Sequence, residues 1–176
     1  MLDGGRVKGF DHAVKDRQTV TTSGEPLREL IEGVQLRPAT THSDQRGDLC
    51  EIYDERWGFT EGAAPFVYAV TLHPGSIRGW VIHLEQDDRL FFAMGTAKVA
   101  LYDAREDSPT FGTVNVFYLG DNNRALLRIP PGVFHAVKNV GHTAALFINL
   151  PSRPYQHADP DKYRVPIDGE VVPYRM

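Results

Sequence analysis

The chain has little of several features that would assign it to a protein class at once. Only one of its 176 residues is a cysteine, Cys50, so an internal disulfide and a cysteine-rich zinc site are both excluded. No run of about 18 apolar residues occurs, which argues against a membrane-spanning helix. The N-terminus has no apolar core of the kind that a secretory signal needs, so we expect a cytoplasmic protein.

An excess of positive charge is also missing. The formal net charge is -4, which gives no general attraction to nucleic acid or to an anionic membrane. We therefore expect neither nucleic acid nor a membrane as a partner. With 176 residues, 41% of them hydrophobic, the chain can bury one substantial core but is short for two. One globular domain is predicted.

Short strand-like runs are what the sequence does contain, from Val34 onward. Stretches such as "FVYAVTLHPG", "RLFFAMG" and "AKVALYDA" alternate with turns rich in Gly, Pro and Asn. This spacing predicts an all-β jelly roll or meander. We expect residues 1–33 to form an N-terminal arm with a helical turn in "PLRELIEGV", residues 34–150 the barrel domain, and residues 151–176 a C-terminal extension packed on the barrel.

The segment "IPPGVFHAVKNVG" contains the first group of candidate site residues. Pro130, Gly132, His135 and Asn139 fit the second cupin motif, P-x-G-x-x-H-x-x-x-N. The Pro-Pro-Gly turn ends one strand tightly and begins the next, so it can direct His135 into the mouth of a barrel, where ligand pockets are common. We therefore predict a cupin jelly roll with His135 in its pocket.

The segment "RGWVIHLEQDDRL" contains the second group. On an extended strand, Val81, His83 and Glu85 share one face, which predicts that both polar side chains point toward a cavity. With His135 they could form a metal site of two histidines and one carboxylate. Arg89 lies near the position where the full first cupin motif has a further acid, and its charge would repel a cation. A site without metal and without a cofactor is therefore predicted.

Four separated segments resemble the dTDP-4-dehydrorhamnose 3,5-epimerase family of cupins, over about residues 34–169. "SDQRGD" is similar to the family's D-x-R-G turn and "PGSIRGW" to its R-G segment. "DAREDSPTFG" resembles its S-P-T-F-G loop, and "LLRIPPGVFHAV" resembles its I-P-x-G-x-x-H strand. The four occur in the family's order, which makes the resemblance much more specific than one motif.

The resemblance implies a jelly-roll homodimer that binds a nucleoside diphosphate sugar. It places Arg46 and Glu51 where family members contact the nucleotide from the neighbouring subunit, and Arg78 near the phosphates or the sugar. We expect Glu85 and Tyr155 to contact the substrate as well. The implied substrate is a dTDP-linked 4-keto-6-deoxyhexose, epimerised at C3, at C5 or at both.

Such an epimerase removes a proton next to a ketone and returns it on the other face, which requires a base, an acid and a positive group beside the enolate oxygen. The family's base histidine falls on Val81 and its acid tyrosine on Ile148, and neither can transfer a proton. Its enolate-stabilising lysine corresponds to Arg89, and the aspartate that orients its base to Asp168. His135 is retained.

His83 is the candidate replacement base. It follows Val81 by two residues on the same predicted face, and it matches the second histidine of the R-G-x-H-x-H segment of the related sugar 3,4-ketoisomerases. The replacement acid stays open among Tyr102, Tyr155 and Tyr163. Three functions also stay open: an isomerase or epimerase that uses His83, a non-catalytic nucleotide-sugar-binding protein, and a metal-dependent cupin.

Overall fold

A computed structural model describes residues 8–59 and 62–176, so the first seven residues of the arm lie outside the described part of the chain. Strand is the dominant element, and within these two ranges the helical structure consists of two short 3₁₀ turns, Phe10–His12 and Glu55–Trp57. None of the helices in the described ranges is long and apolar enough to cross a bilayer. The predicted all-β class is confirmed.

The described part of the chain contains twelve strands. In chain order they are β1 Gln35–Pro38, β2 Thr41–Asp44, β3 Gly47–Cys50, β4 Tyr68–Leu72, β5 Ile77–Ile82, β6 Asp88–Met94, β7 Thr96–Asp103, β8 Val114–Gly120, β9 Ala125–Ile129, β10 Val133–Asn139, β11 Ala145–Asn149 and β12 Tyr163–Arg164.

The strands build two five-stranded sheets and one separate hairpin. The first sheet has the order β1-β9-β6-β11-β4 and the second the order β12-β5-β10-β7-β8, while β2 pairs only with β3. Every pairing is antiparallel, and most neighbours in a sheet are distant in sequence. This is the jelly-roll architecture, with the barrel core between the two sheets.

The core follows from the two-residue alternation of the strands. On β6, Leu90 and Phe92 face the second sheet, and on β7 Val99 and Leu101 face the first; all four are at most 2% exposed. Ring packing between Phe92 and Phe147, with centroids 5.4 Å apart, joins neighbouring strands β6 and β11 of the first sheet. Burial of these side chains contributes about 1.5–3 kcal/mol each to folding.

The C-terminal extension packs on the outer face of the second sheet. Trp80 is 1% exposed there, in a cluster with Phe134 and Val172, and Tyr174 packs against the same cluster. The extension also supplies strand β12 to the sheet edge, where Tyr163 pairs with Ile82. Residues 151–176 therefore contribute both a strand and a hydrophobic cover.

The N-terminal arm differs from the prediction in one respect, since "PLRELIEGV" is not helical. The amide side chain of Asn115 on β8 accepts a hydrogen bond from the backbone N–H of Ile31 at 2.9 Å and donates one to the carbonyl of Glu29 at 3.0 Å. These bonds to β8 hold an extended backbone, and Ile31 is fully buried in the core. Tertiary contacts override local helix propensity here.

Candidate active site

Two histidines and one aspartate converge between the sheets. His83 Nε2 lies 3.2 Å from Asp88 Oδ2, and His135 Nε2 lies 3.3 Å from the same oxygen. The imidazole rings are 5.5 Å apart between centroids, and all three residues are at most 7% exposed. The two predicted histidines are therefore brought together, by an acid that the sequence reasoning did not select.

Asp88 reaches this position because it begins β6. Alternation along the strand puts Asp88 on the same face as Leu90 and Phe92, which point into the barrel. Gln86 donates a further hydrogen bond to Asp88 Oδ1 at 3.0 Å. The acid of the cluster thus lies at the edge of the hydrophobic core.

Glu85 lies outside the cluster, contrary to the expectation that it shares a face with His83. Strand β5 ends at Ile82, and the chain then bends, so the alternation does not continue to Glu85. Its carboxylate is exposed and forms an ion pair with Arg153. The expected set of His83, Glu85 and His135 is therefore corrected to His83, Asp88 and His135.

Arg89 points to the opposite side of its sheet from Asp88. Its guanidinium donates hydrogen bonds to the carbonyls of Leu150 at 2.6 Å, Pro151 at 3.0 Å and Ala63 at 3.0 Å, and it lies 5.4 Å from the centroid of the Tyr53 ring. It is fully buried there. Arg89 therefore has a structural role beneath the loops that contain Ala63 and Pro151, and it does not lie beside a ligand in the cavity.

His83 is fixed by the C-terminal extension. Its Nδ1 hydrogen bonds with the backbone carbonyl of Asp161, while the Asp161 carboxylate accepts the N–H groups of Leu84, Glu85 and Gln86 at 2.8, 2.8 and 3.1 Å. Burial opposes the ionisation of Asp161, but these three hydrogen bonds outweigh it and lower its pKa. One residue of the extension therefore holds both the bend and the imidazole.

His135 is fixed by the turn that precedes β10. The N–H of Gly132 donates to the carbonyl of His83 at 2.8 Å, so the Pro-Pro-Gly turn is tied directly to the other histidine. Gly132 has a φ of +78° and its missing Cβ would lie 2.5 Å from Arg105 Cγ, so glycine is required there. Asn139 at the end of β10 bonds to the backbone of Leu72 and has a structural role.

The hydrogen-bond geometry restricts the protonation state of His83. Its Nδ1 faces a carbonyl oxygen and its Nε2 faces a carboxylate, and both are acceptors. A neutral imidazole carries only one N–H, so it can satisfy one of them, whereas an imidazolium satisfies both. A metal cation bound between Nε2 and the carboxylate is the other species that removes the conflict.

The charges of the cluster stabilise each other. Burial opposes the ionisation of Asp88, but hydrogen bonds from His135 and His83 outweigh it, and the pKa of Asp88 lies well below its usual range. Burial also acts to lower the pKa of His83, yet the Asp88 carboxylate outweighs this and the pKa of His83 is raised. The ionised carboxylate of Asp88 and a protonated His83 therefore favour each other.

The cluster forms the floor of a cavity of about 90 Å³. Three cationic side chains, from Arg78, Lys162 and Arg164, line its walls. Burial and the nearby charge of Arg164 lower the pKa of Lys162, although the Asp88 carboxylate acts in the opposite direction. The cavity therefore combines an acidic floor with basic walls.

A tyrosine that sequence reasoning missed also lines this cavity. Tyr68 lies on β4 of the first sheet, and its hydroxyl accepts a hydrogen bond from Asn149 Nδ2 at 2.8 Å. Burial, followed by the charge of Asp88, raises the pKa of Tyr68, so the phenol keeps its proton at neutral pH. Of the tyrosines considered earlier, Tyr102 packs in the outer cluster and the other two line a neighbouring groove.

That groove, of about 410 Å³, runs along the C-terminal extension and is lined by Glu85, Tyr155 and Tyr163 among other residues. A narrow passage whose walls include His83, Tyr155 and Lys162 lies between the groove and the cavity. The Tyr155 ring stacks on Phe66, with centroids 6.4 Å apart. Glu85 and Tyr155 thus lie near the cavity but not within it.

The remaining predicted site residues lie at different distances from the cluster. Arg78 and Val81 line the cavity, Val81 as a buried apolar wall. Arg46 is exposed at the turn of the β2–β3 hairpin, where it pairs with Asp44, and Glu51 is exposed just after it. Asp168 is exposed in the extension, away from the residues that line the cavity.

Ile148 also points away from the cavity. Alternation on β11 turns Ile148 to the outer face of the first sheet and Asn149 to the cavity. No proton donor is therefore lost from the cavity wall at position 148 itself. The hydroxyl of Tyr68, which accepts a hydrogen bond from Asn149, lines this side of the cavity.

The cluster also has the composition of a metal site. One ligand atom from each of His83, Asp88 and His135 lies within 4.8 Å of the others. Two imidazoles and one carboxylate are a donor set that binds divalent iron, zinc and similar ions. His83 Nδ1 is held by a backbone carbonyl and His135 Nδ1 lies 3.4 Å from the carbonyl of Val133, an outer contact that orients ligating imidazoles in metal sites.

A signal for Asp88 was present in the sequence. Counting back by twos from the buried residues Phe92 and Leu90 puts Asp88 on the face that points into the barrel. Counting forward from Trp80 puts Asp88 on the face opposite to His83, because the sequence does not show the bend between them. Lys162 and Asp161 carried no comparable signal, because their roles depend on contacts with residues about 78 positions away.

Two antiparallel sheets that enclose a pair of histidines define a cupin-type jelly roll with a small-molecule cavity. Residues 28–166 match the family model described as dTDP-4-dehydrorhamnose 3,5-epimerase, and the chain belongs to that family. The fold class and the family resemblance expected from the sequence are both confirmed.

Two curated relatives are similar over most of the chain. The probable low-salt glycan biosynthesis epimerase Agl13 of Haloferax volcanii is 37% identical over 139 residues, covering 78% of this chain and 89% of the relative. The spore coat polysaccharide biosynthesis protein SpsL of Bacillus subtilis is 36% identical over 143 residues, covering 81% and 94%.

Solved structures show the same fold. A dTDP sugar isomerase from Desulfovibrio desulfuricans superposes with a TM-score of 0.71 at 27% identity, covering 82% of this chain and 90% of that one. The dTDP-4-dehydrorhamnose 3,5-epimerase of Bacillus anthracis has a TM-score of 0.72 at 19% identity, covering 84% and 87%.

Proposed function

We propose that this protein is an epimerase or isomerase of nucleotide-linked 4-keto-6-deoxyhexoses, acting by proton transfer at a carbon next to the ketone. The dTDP sugars are the first candidates, as the family description and the Desulfovibrio isomerase support. The two relatives named for glycan and polysaccharide biosynthesis support a role in carbohydrate biosynthesis. A cytoplasmic location stays a prediction.

One observation carries this proposal: proton-transfer groups face the cavity from both sheets. His83 follows β5 of the second sheet, and Tyr68 lies on β4 of the first. A sugar ring held between the sheets would therefore meet an imidazole on one side and a phenol on the other. In its neutral form, with the Nδ1 proton donated to the Asp161 carbonyl, His83 takes the proton from carbon at Nε2, Asp88 stabilises the imidazolium that forms, and Tyr68 returns a proton to the opposite face.

The cavity is suited to the sugar and not to the whole substrate. Its volume of about 90 Å³ is well below the roughly 300–1,000 Å³ of pockets that enclose a complete ligand. Arg78 and Arg164 on the walls supply positive charge for the diphosphate. The neighbouring groove beside Tyr155 supplies a surface for the part of the substrate that remains outside.

We further propose that a second copy of the chain completes the nucleotide-binding site. The family resemblance assigns Arg46 and Glu51 to a nucleotide in the neighbouring subunit, and both are exposed on or beside a hairpin that pairs with no other strand. Sedimentation should then detect a homodimer at micromolar concentration. Arg46→Ala should weaken nucleotide binding without unfolding the protein, which a thermal-shift titration with dTDP measures.

The decisive experiment follows exchange of sugar protons in D2O. The protein is incubated with a dTDP-4-keto-6-deoxyhexose, and NMR follows deuterium incorporation at C3 and C5. Wild type should exchange, and His83→Ala should lose at least about a hundredfold in rate, a size typical of the loss of a general base. His142→Ala is the matched control, because His142 is an exposed histidine in the turn after β10.

The other outcomes separate the remaining functions. Exchange at the wild-type rate in His83→Ala would place the base elsewhere. A protein that binds the sugar nucleotide and never exchanges its protons would be a binding protein, and the proposed reaction would be wrong. Formation of a 3-keto product in place of an epimer would assign the 3,4-ketoisomerase reaction.

A second candidate is a metal-dependent cupin, favoured by the convergence of the Nε2 atoms of both histidines on the Asp88 carboxylate. Such a site would supply Lewis-acid chemistry to a small molecule in the same cavity. Metal analysis tests it on protein purified without a nickel column. A stoichiometric ion that is lost in Asp88→Asn and kept in the exposed-site variant Asp107→Asn would favour this candidate.

A further inference from the structure

The proposed reaction develops negative charge on the ketone oxygen, and the cavity must contain a cation to stabilise it. Arg89 corresponds to the family's lysine by sequence, but its guanidinium is bonded to carbonyls on the other side of the sheet. The strand instead presents the Asp88 carboxylate to the cavity. The stabilising cation must therefore come from another element.

Lys162 differs from the other two cavity cations in the surfaces that it lines. Of Arg78, Lys162 and Arg164, it is the one that lines both the cavity and the passage to the groove, together with His83. The other two line the cavity alone. Lys162 and His83 therefore line the same part of the cavity wall.

The neighbouring residue fixes Lys162 relative to His83. The backbone carbonyl of Asp161 hydrogen bonds with His83 Nδ1, and its carboxylate binds three consecutive N–H groups of the bend. The N–H of Lys162 donates to the carbonyl of Pro160 at 2.7 Å, which closes a tight turn. The backbone of Lys162 is therefore held in a fixed position relative to His83, the proposed base.

The ammonium group is available to a ligand. Among the described residues, Lys162 Nζ has no hydrogen-bond or ion-pair partner, and the side chain is half-buried. A cation that is partly removed from bulk water interacts more strongly with an anion in the same cavity than it would in bulk water. An enolate oxygen formed beside His83 is such an anion.

We propose that Lys162 is the catalytic residue that stabilises the enolate oxygen, in the position that family members fill from the strand that carries Asp88 here. This assignment rests on the proposed function. It makes the C-terminal extension a source of catalytic groups, with Asp161 as the positioning residue for His83. Arg78 and Arg164 keep the separate role of binding the diphosphate.

The test compares Lys162→Met with Arg164→Met in the deuterium-exchange assay, at saturating sugar nucleotide and also over a range of concentrations. Lys162→Met should lower the exchange rate at saturation by about a hundredfold to a thousandfold, the size seen when one oxyanion donor is removed. Its affinity for unreactive dTDP should change less than about threefold. Arg164→Met should weaken dTDP binding more than Lys162→Met does and should lower the rate at saturation less.

Lys162→Arg and Lys15→Met complete the set. Arginine keeps the charge and should recover part of the lost rate, although its planar group differs in geometry. Lys15 is exposed on the arm, and its replacement should change neither quantity. Thermal unfolding of each variant confirms that it is folded.

The outcomes distinguish this inference from the function on which it rests. If wild type exchanges and Lys162→Met exchanges at the same saturated rate, or loses mainly affinity as Arg164→Met should, Lys162 is not the stabilising residue. If wild type binds the sugar nucleotide without exchange, the proposed function fails first and this assignment fails with it.

Discussion

Asp88 and Asp103 are buried aspartates in the same barrel, but their carboxylates have very different neighbours. Asp103 ends β7 and accepts hydrogen bonds from Arg105 Nε at 2.8 Å, Ser108 Oγ at 2.6 Å and Thr110 Oγ at 2.7 Å, all within the loop that follows. Asp88 instead faces two imidazoles across a cavity. The donors to Asp103 are a guanidinium and two hydroxyls, which do not change charge in the physiological pH range. The groups that face Asp88 are imidazoles, a type of side chain that can gain or lose a proton in that range.

The difference separates a structural acid from a chemical one. The Asp103 network also fixes the arm, because Arg105 donates to the carbonyl of Glu32 at 2.8 Å and Thr110 Oγ accepts the N–H of Glu32 at 2.9 Å. The S-P-T-F-G loop is therefore a family motif with a structural role. The segment around Asp88 contains candidate proton-transfer groups, and there this chain departs from the family's pattern.

The largest expected effect is on stability, from Asp103→Ala. Removal of this carboxylate leaves the partly buried guanidinium of Arg105 and two hydroxyls without their acceptor, at a cost of about 1–3 kcal/mol for each group left unsatisfied. Urea denaturation should show this loss in the free energy of unfolding. Asp107→Ala, in the exposed part of the same loop, should change it by less than about 0.5 kcal/mol. Equal effects would remove the distinction between the two positions.

Asp88→Asn should lower the rate of proton exchange and not the stability of the fold. The variant keeps the size of the side chain but loses the charge that stabilises the His83 imidazolium, so the deuterium-exchange rate should fall by at least about a hundredfold. Its cooperative unfolding transition in urea should be retained. A variant that exchanges normally would show that Asp88, like Asp103, has only a structural role.

The pH dependence of stability sharpens the comparison from the structural side. Burial opposes the ionisation of Asp103, but hydrogen bonds from Arg105, Ser108 and Thr110 outweigh it and hold its pKa well below the usual value. A carboxyl with a lowered folded-state pKa stabilises the protein above the unfolded-state value near 4, and this contribution is lost as pH falls through the folded-state pKa. The stability difference between wild type and Asp103→Asn should therefore be constant from about pH 7 to pH 5 and shrink below about pH 4. A difference that instead shrinks near neutral pH would contradict this assignment.

The smallest effect is expected from Asp44→Ala. Asp44 pairs with Arg46 two residues later, the same spacing as in Asp103 and Arg105, but this pair is exposed on the β2–β3 hairpin. Water and salt screen such a pair, so the free energy of unfolding should hardly change. A large loss in urea denaturation would mean that this pair stabilises the hairpin far more than an exposed ion pair does.

The sequence was sufficient to predict the architecture because strand alternation and turn residues are local signals. It also identified both histidines, since the Pro-Pro-Gly turn and the R-G segment are compact motifs. It misplaced the acid, because the Asp161 carboxylate stops β5 early and resets the alternation before Glu85. It predicted a helical turn in the arm for the same kind of reason, since Asn115 acts from 84 residues away. Long-range hydrogen bonds caused both errors.

The bond between Asp161 and His83 has a consequence for exchanging modules among related cupins. A chimera that took residues 34–150 from this chain and the following segment from a relative would inherit both strands next to the histidines. It would replace the backbone turn that orients one of them, along with the carboxylate that shapes the bend at residues 84–86. The barrel and the extension therefore have to be exchanged together, because the residues that position His83 extend beyond the strands of the barrel.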